Sequence, residues 1–377
     1  MNGNPKQQIR ILLFLVFTAL LLGIYFSAPL WFGDRHFPKI PIPGFQFGDD
    51  VFDIVACVLF LAALFAALLR PGKKFFFYLF FGAAIFLMAR DQNRLQPWVL
   101  QFLFFVAACF PHEKNKPEIM FRNICLIFGG VYFWSGIHKI NINYFTETSE
   151  WIMEPLGRLT GMSPEAAGKT GYLIPLIEIV LGFGFLFKRT LKLTAWVSLL
   201  MHGVILLLIG PLGKNFNPVI YPWNLGLMAM LYWVIRNIQE EKEAYSFKFW
   251  ISRKHLAFLI PVWILPLFSI FGIYDNYPAW KLYSGNSPNG YVFLSEQVIS
   301  RLPGEIQNLV QEKAGQKYIY INYWSLMELG VPSYPEPRVF KKTRAYLLKY
   351  ADSPDLVPLL ISDEFIFFQK QEDRIIR

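Results

Sequence analysis

The stretch "GGVYFWSGIHKININYF", Gly129 to Phe145, sets a histidine and a lysine side by side at the end of an apolar run. A lysine held among aromatic rings and partly stripped of water gives up its proton more readily than one in water, so Lys139 is a candidate general base. Three further apolar runs carry polar groups: Glu178 in "PLIEIVLG", His202 in "SLLMHGVIL", and Tyr221, Trp223 and Asn224 in "VIYPWNLG". A histidine can relay a proton. The segment "RDQNRLQPW" adds Arg94, which could hold a carboxylate or quinone oxygen, with Gln96 and Trp98 close by. Lys139, His202 and Glu178 are the candidate catalytic groups. Arg94, Gln96, Trp98, Trp134, His138, Asn141, Tyr221 and Asn224 are the candidate substrate-binding groups. Polar side chains inside a bilayer are costly, so each needs a partner or a task.

Each residue also has a packing explanation. Lys139 can snorkel to the interface, and His202 can be a satisfied core histidine. Glu178 can pair with Lys139, His202 or a backbone group, and Arg94 can anchor at the interface or pair with Asp91. Gln96, Trp98 and Trp134 can serve helix packing or the interfacial aromatic belt. There is no Ser-His-Asp order, Gly-rich phosphate loop or metal-ligand cluster, so no metal is expected. Cys57, Cys109 and Cys125 all fall in apolar runs without C-x-x-C spacing, which fits small buried hydrophobes rather than a disulfide framework.

The elements that position these groups are membrane helices. The 377 residues are 54% hydrophobic and 18% aromatic, with mean hydropathy +0.36, too apolar for a soluble domain of this size. The first run, "ILLFLVFTALLLGIYF", continues into "SAPLWF" without a clear cleavage site and reads as a retained span. Nine spans are expected, at roughly 9–31, 51–70, 74–90, 95–111, 119–140, 168–187, 191–209, 217–237 and 256–274. The third and fourth are short and could form one re-entrant pair. With the N-terminus cytoplasmic, sixteen Lys and Arg face inside and eight face outside, in accord with the positive-inside rule. The expectation is therefore an integral membrane protein, of the bacterial inner-membrane kind, with residues 1–274 as a helical bundle. Residues 275–377 form an extracytoplasmic domain in this reading.

That tail has twelve basic and twelve acidic residues, so the net +9 belongs to the membrane part. The basic residues sit in short loops facing anionic lipid rather than on a groove-lining face, which excludes nucleic acid as the implied partner. The tail mixes β-like runs ("GYVFLSE", "YIYINYW", "EFIFFQK") with the helical "RVFKKTRAYLLKY", and predicts a small α+β domain. Such a domain could meet an extracytoplasmic protein or peptide. The Pro-rich loop "DRHFPKIPIPGFQFGDD" is expected along the interface. Ser163 before Pro164 and Glu165 predicts a helix start.

One resemblance bears on function. "VYFWSGIHKINI", with Tyr132, Gly136, Lys139, Ile140 and Asn141, resembles the lysine motif of vitamin K-dependent γ-glutamyl carboxylase-like proteins, whose membrane part is the HTTM domain. "IEIVLGFGFLFKRTLKLTAWVSLLMH" and "PVIYPWNLGLM" resemble the helices that follow, over roughly residues 10–240 in all; DoxX-like membrane proteins share some of these features. The resemblance implies a lipophilic quinone as cofactor. It also implies that Lys139 is the base that starts hydroquinone oxidation, leading to abstraction of a glutamate γ-proton before CO2 is added. Two departures weigh against full carboxylase activity. "DQNRLQPWVLQF" has no histidine where the carboxylases carry one, with Trp98 about in its place, and the tail is only about 100 residues. The reading of a different class is a membrane scaffold or assembly subunit whose tail binds a partner.

Overall fold

The computed structural model describes residues 4–111, 117–238, 253–362, 365–366, 369–370 and 373–376. Lys114, Lys116, Lys242 and Lys248, counted among the cytoplasmic charges, lie outside them. The chain begins with α1 (Pro5–Phe26), started by Asn4, whose side chain accepts a hydrogen bond from the Lys6 amide, and by Pro5. Then come α2 (Asp50–Leu69), α3 (Lys74–Arg90), α4 (Pro97–Ala108) and α5 (Pro117–His138). The short α6 (Ser149–Thr160) and α7 (Pro164–Thr170) follow. A 3-10 turn joins α7 to α8 (Ile174–Gly184), and α9 (Lys188–Leu208) and α10 (Ile220–Asn237) complete the bundle. After α11 (Arg253–Leu259) the chain winds through a π turn and a 3-10 turn to Phe271.

Among the described residues, five helical stretches are long and apolar enough to cross a membrane: Pro5–Phe26, Asp50–Leu69, Pro117–His138, Pro164–Gly184 and Lys188–Leu208. Helix length does not support the expected count of nine. At about 1.5 Å per residue, α3 spans about 25 Å and α4 about 18 Å, against a hydrocarbon core of about 30 Å. Helix α10 is diluted by Pro222, Asn224 and Arg236. Ser163 caps α7 by accepting from the Ala166 amide at 3.2 Å.

The tail is a five-stranded antiparallel sheet, in order β2 (Gln311–Lys313), β3 (Gln316–Tyr320), β1 (Asn289–Phe293), β4 (Leu359–Ser362) and β7 (Arg374–Ile376). A separate two-residue pair, β5 and β6, spans Phe365–Ile366 and Gln369–Lys370. Alternate residues of β1 point inward, so Val292 lies opposite Ile319 and Leu359 in a buried core. Helices α12 (Ile321–Leu329) and α13 (Pro337–Leu347) bury Trp324, Val339 and Phe340 in that domain.

The tail is tied to one end of the bundle. Tyr334 donates its amide to Asn93 (3.1 Å), Gln96 donates to the Pro332 carbonyl (2.9 Å), and Arg338 donates to Gln92 (2.7 Å). The Glu328 carboxylate accepts from the His36 and Phe37 amides, and Lys342 donates to the Pro41 carbonyl. The Pro-rich loop expected at the interface therefore lies partly beneath the tail, with Phe37 and Ile40 buried.

Candidate functional site

Two glycines bring α5 and α8 into backbone contact. A Cβ on Gly136 would stand 2.6 Å from the Pro175 carbonyl, and one on Gly182 would stand 2.8 Å from the Gly129 carbonyl. Only a residue without Cβ permits such an approach. One turn beyond Gly136, Lys139 meets Glu178 across the seam. Its Nζ donates to Glu178 Oε2 at 2.8 Å, to Oε1 at 3.1 Å and to Ser135 Oγ at 2.7 Å. Lys139 is 4% exposed and does not snorkel.

A second network stands beside the first. Tyr132, Ser135 and Lys139 follow at i, i+3 and i+7, one face of α5. The Tyr132 hydroxyl lies 2.6 Å from His202 Nε2, and His202 Nδ1 lies 2.7 Å from Asn224 Oδ1. The Asn224 Nδ2 donates to the Ile220 carbonyl at 2.8 Å. That carbonyl can only accept, so the atom of Asn224 facing His202 is its oxygen. His202 must then donate from Nδ1 and accept the Tyr132 proton at Nε2, the neutral tautomer; the proton positions are inferred from this pattern.

Both networks line one cavity of about 370 Å³ between α5, α8, α9 and α10. Its walls are otherwise mostly aliphatic: Val131, Ile177, Leu200 and Ile205 among them. Trp223 and Gln101 contribute from α10 and α4, and Leu282 and Tyr283 from the segment leading to the tail. The structure thus brings Lys139, Glu178, His202 and Asn224 together on one cavity.

The other sequence candidates are elsewhere. Arg94 is fully buried and donates to Asp53 at 3.1 Å and to the Leu30, Leu87 and Trp31 carbonyls. Its ion-pair partner is Asp53 rather than the adjacent Asp91, which instead pairs with Arg35. Gln96 ties down the tail, and Trp98 fills the space over Gly23. Trp134 stacks on His138 and donates to the Trp263 carbonyl. Asn141 bridges the His138 and Ser284 carbonyls, and Tyr221 bonds Asn215 at the surface. Sequence reasoning passed over Gln101, Tyr132 and Ser135 as site residues. The spacing to Lys139 was the available signal for the last two.

Residues 117–216 match the family model described as methylamine utilisation protein MauE. The match covers about a quarter of the chain, from α5 through α9, and so includes Lys139, Glu178 and His202 but not the tail. No curated protein and no solved structure matches the chain. The match overturns the carboxylase-like and DoxX-like resemblance, because the helix carrying the lysine motif belongs to the MauE-matched region. The physical reason for the error lies in the motif itself. Its Gly and Lys positions serve a close helix crossing and an ion pair, which many membrane bundles share. The chain is a polytopic membrane protein whose residues 117–216 are similar to the MauE family model.

Proposed function

We propose that this chain is a non-enzymatic accessory or assembly subunit in the membrane, with residues 1–274 as its platform. Residues 275–377 form an extracytoplasmic domain that meets a partner protein. The observation that carries this reading is saturation: Lys139, Glu178 and His202 on the cavity are already bonded to neighbouring side chains. The Lys139 Nζ gives its hydrogen bonds to the Glu178 carboxyl group and the Ser135 hydroxyl. His202 is committed on both nitrogens. Such a network orients the helices that carry it.

Two further points support the reading. The tail is fixed to the bundle at two separate loops, through backbone groups of 36–41 and side chains of 92–96, which suits a rigid presenting surface. The matched family is named for utilising a metabolite rather than for a reaction, which fits an accessory role. The test is native electrophoresis of membranes from the source cells, mildly solubilised. The wild-type chain and the Lys139→Met/Glu178→Met double variant should both migrate in one assembly larger than the chain alone. Migration of the wild type as a lone chain would overturn the proposal.

A further inference from the structure

The cavity holds one polar group that the networks leave unmatched. Gln101, on α4, is 1% exposed and lines the void. Its Oε1 accepts from the Trp223 indole at 2.8 Å. An indole nitrogen only donates, so the oxygen of the carboxamide must face it, and the orientation of the amide is fixed. The Nε2 donors then have no hydrogen-bond partner among the described residues. Because Gln101 borders the void, its Nε2 can serve a molecule there, and such a hydrogen bond is worth about 1 kcal/mol.

The mouth of the cavity is the second observation. Ile177 on α8 and Leu200 and Val204 on α9 line the cavity, yet they are 42%, 64% and 50% exposed. Both helices lie in stretches apolar enough to cross the bilayer. The opening between them therefore faces acyl chains. At the tail side Leu282 and Tyr283 contribute to the wall, and Tyr283 is held at φ +47°. That left-handed backbone is costly for a tyrosine and is kept only where the surroundings enforce it.

We propose that the cavity is a binding site for a neutral lipophile that enters sideways from the bilayer and offers a carbonyl-type oxygen to the Gln101 amide. The unmatched group is a donor, so the ligand must accept. Lys139 and Glu178 cancel each other's charge, and a charged ligand crossing from hydrocarbon would meet no compensating ion. The size lies within the range of pockets that hold drug-sized molecules. This goes beyond the accessory reading and does not depend on it, since a partner complex can form with the cavity filled or empty.

The experiment uses the purified full chain in dodecyl maltoside, which carries no carbonyl. The probe is 2-hexadecanone bearing a terminal diazirine, with labelled residues mapped by mass spectrometry. Unlabelled 2-hexadecanone and hexadecane are the competitors. Labelling should saturate and map to α8 and α9, and the ketone should compete at least about fivefold better than the alkane, the factor of a single hydrogen bond. Gln101→Leu should remove that difference. Val204→Trp, at an exposed position that tolerates bulk, should cut labelling by about fivefold or more while the protein stays folded. Equal competition by ketone and alkane in the wild type overturns the proposal. So does undiminished labelling in Val204→Trp, which decides the matter even where Gln101→Leu fails to fold.

Discussion

Two regions of the bundle bury charge at the tail side, and they do so differently. Under the tail, Asp53 at the start of α2 accepts from Arg90 (2.9 Å), Arg94 (3.1 Å) and Lys39 (2.6 Å). All three nitrogens of Arg94 are bonded, and the residue is fully buried. Between α5 and α8, the Lys139–Glu178 pair is equally well bonded but borders a void of about 370 Å³. The contrast shows that a charge in an apolar helix does not mark a site. In the first region the ions are enclosed by backbone carbonyls and staple loops to helices. In the second they line a space that something else can occupy, and an unmatched amide faces it.

Mutations can sharpen or break this contrast. The largest effect belongs to the enclosed cluster. Asp53→Leu leaves two guanidinium groups and an ammonium without their shared carboxylate. It should cost about 5 kcal/mol or prevent folding, as read by unfolding in detergent and yield. Next, Glu178→Leu should cost about 3 kcal/mol, less than Asp53→Leu because it strands one cation rather than three. Lys139→Met/Glu178→Met should return to within about 1 kcal/mol of wild type, because well-packed apolar replacements of a buried pair are often neutral. A Glu178→Leu loss as large as that of Asp53→Leu would erase the distinction.

Smaller effects follow. Gly136→Ala forces a Cβ against the Pro175 carbonyl, and should cost about 1–3 kcal/mol by pushing α5 from α8. The smallest lies at the edge of the tail. Burial would raise the Asp275 carboxyl, but hydrogen bonds from Arg338 and Tyr334 outweigh it and hold the group below the ordinary 3.8. A depressed folded value contributes stability above about pH 4 and loses it as pH falls through the folded value. Arg338 is nearly half exposed, so Arg338→Met should cost only about 0.5–1 kcal/mol at pH 7. It should also flatten the decline in stability between about pH 5 and 3, measured by thermal unfolding at each pH.

The sequence made the helical class and the tail's sheet legible, because hydropathy and alternation are repeated over many residues. Lys139 and Glu178 stood out because a charge in an apolar run is conspicuous, and their pairing was among the open alternatives. Asp53 and Gln101 did not stand out: one sits near a helix start where acids are common, the other in a run dominated by Phe, Val and Leu. For Arg94 the sequence offered an interface anchor or the nearby Asp91, whereas its ion-pair partner is 41 positions away, a separation set by tertiary packing. Helix length supports five of the nine expected spans among the described residues, because charge alternation counts every short apolar run, while crossing a bilayer also requires length. The family resemblance failed at its motif, whose glycines permit a close helix crossing and whose lysine forms an ion pair, features that many membrane bundles share.

The central claim is that the Lys139–Glu178 pair shapes the bundle and does no chemistry. Complementation of a deletion strain tests it most directly, comparing wild type, Glu178→Leu and Lys139→Met/Glu178→Met at matched protein levels. The double variant should restore the wild-type phenotype in full, and Glu178→Leu should fail in proportion to its lost stability. A double variant that is folded, present at wild-type level and unable to rescue would contradict the account.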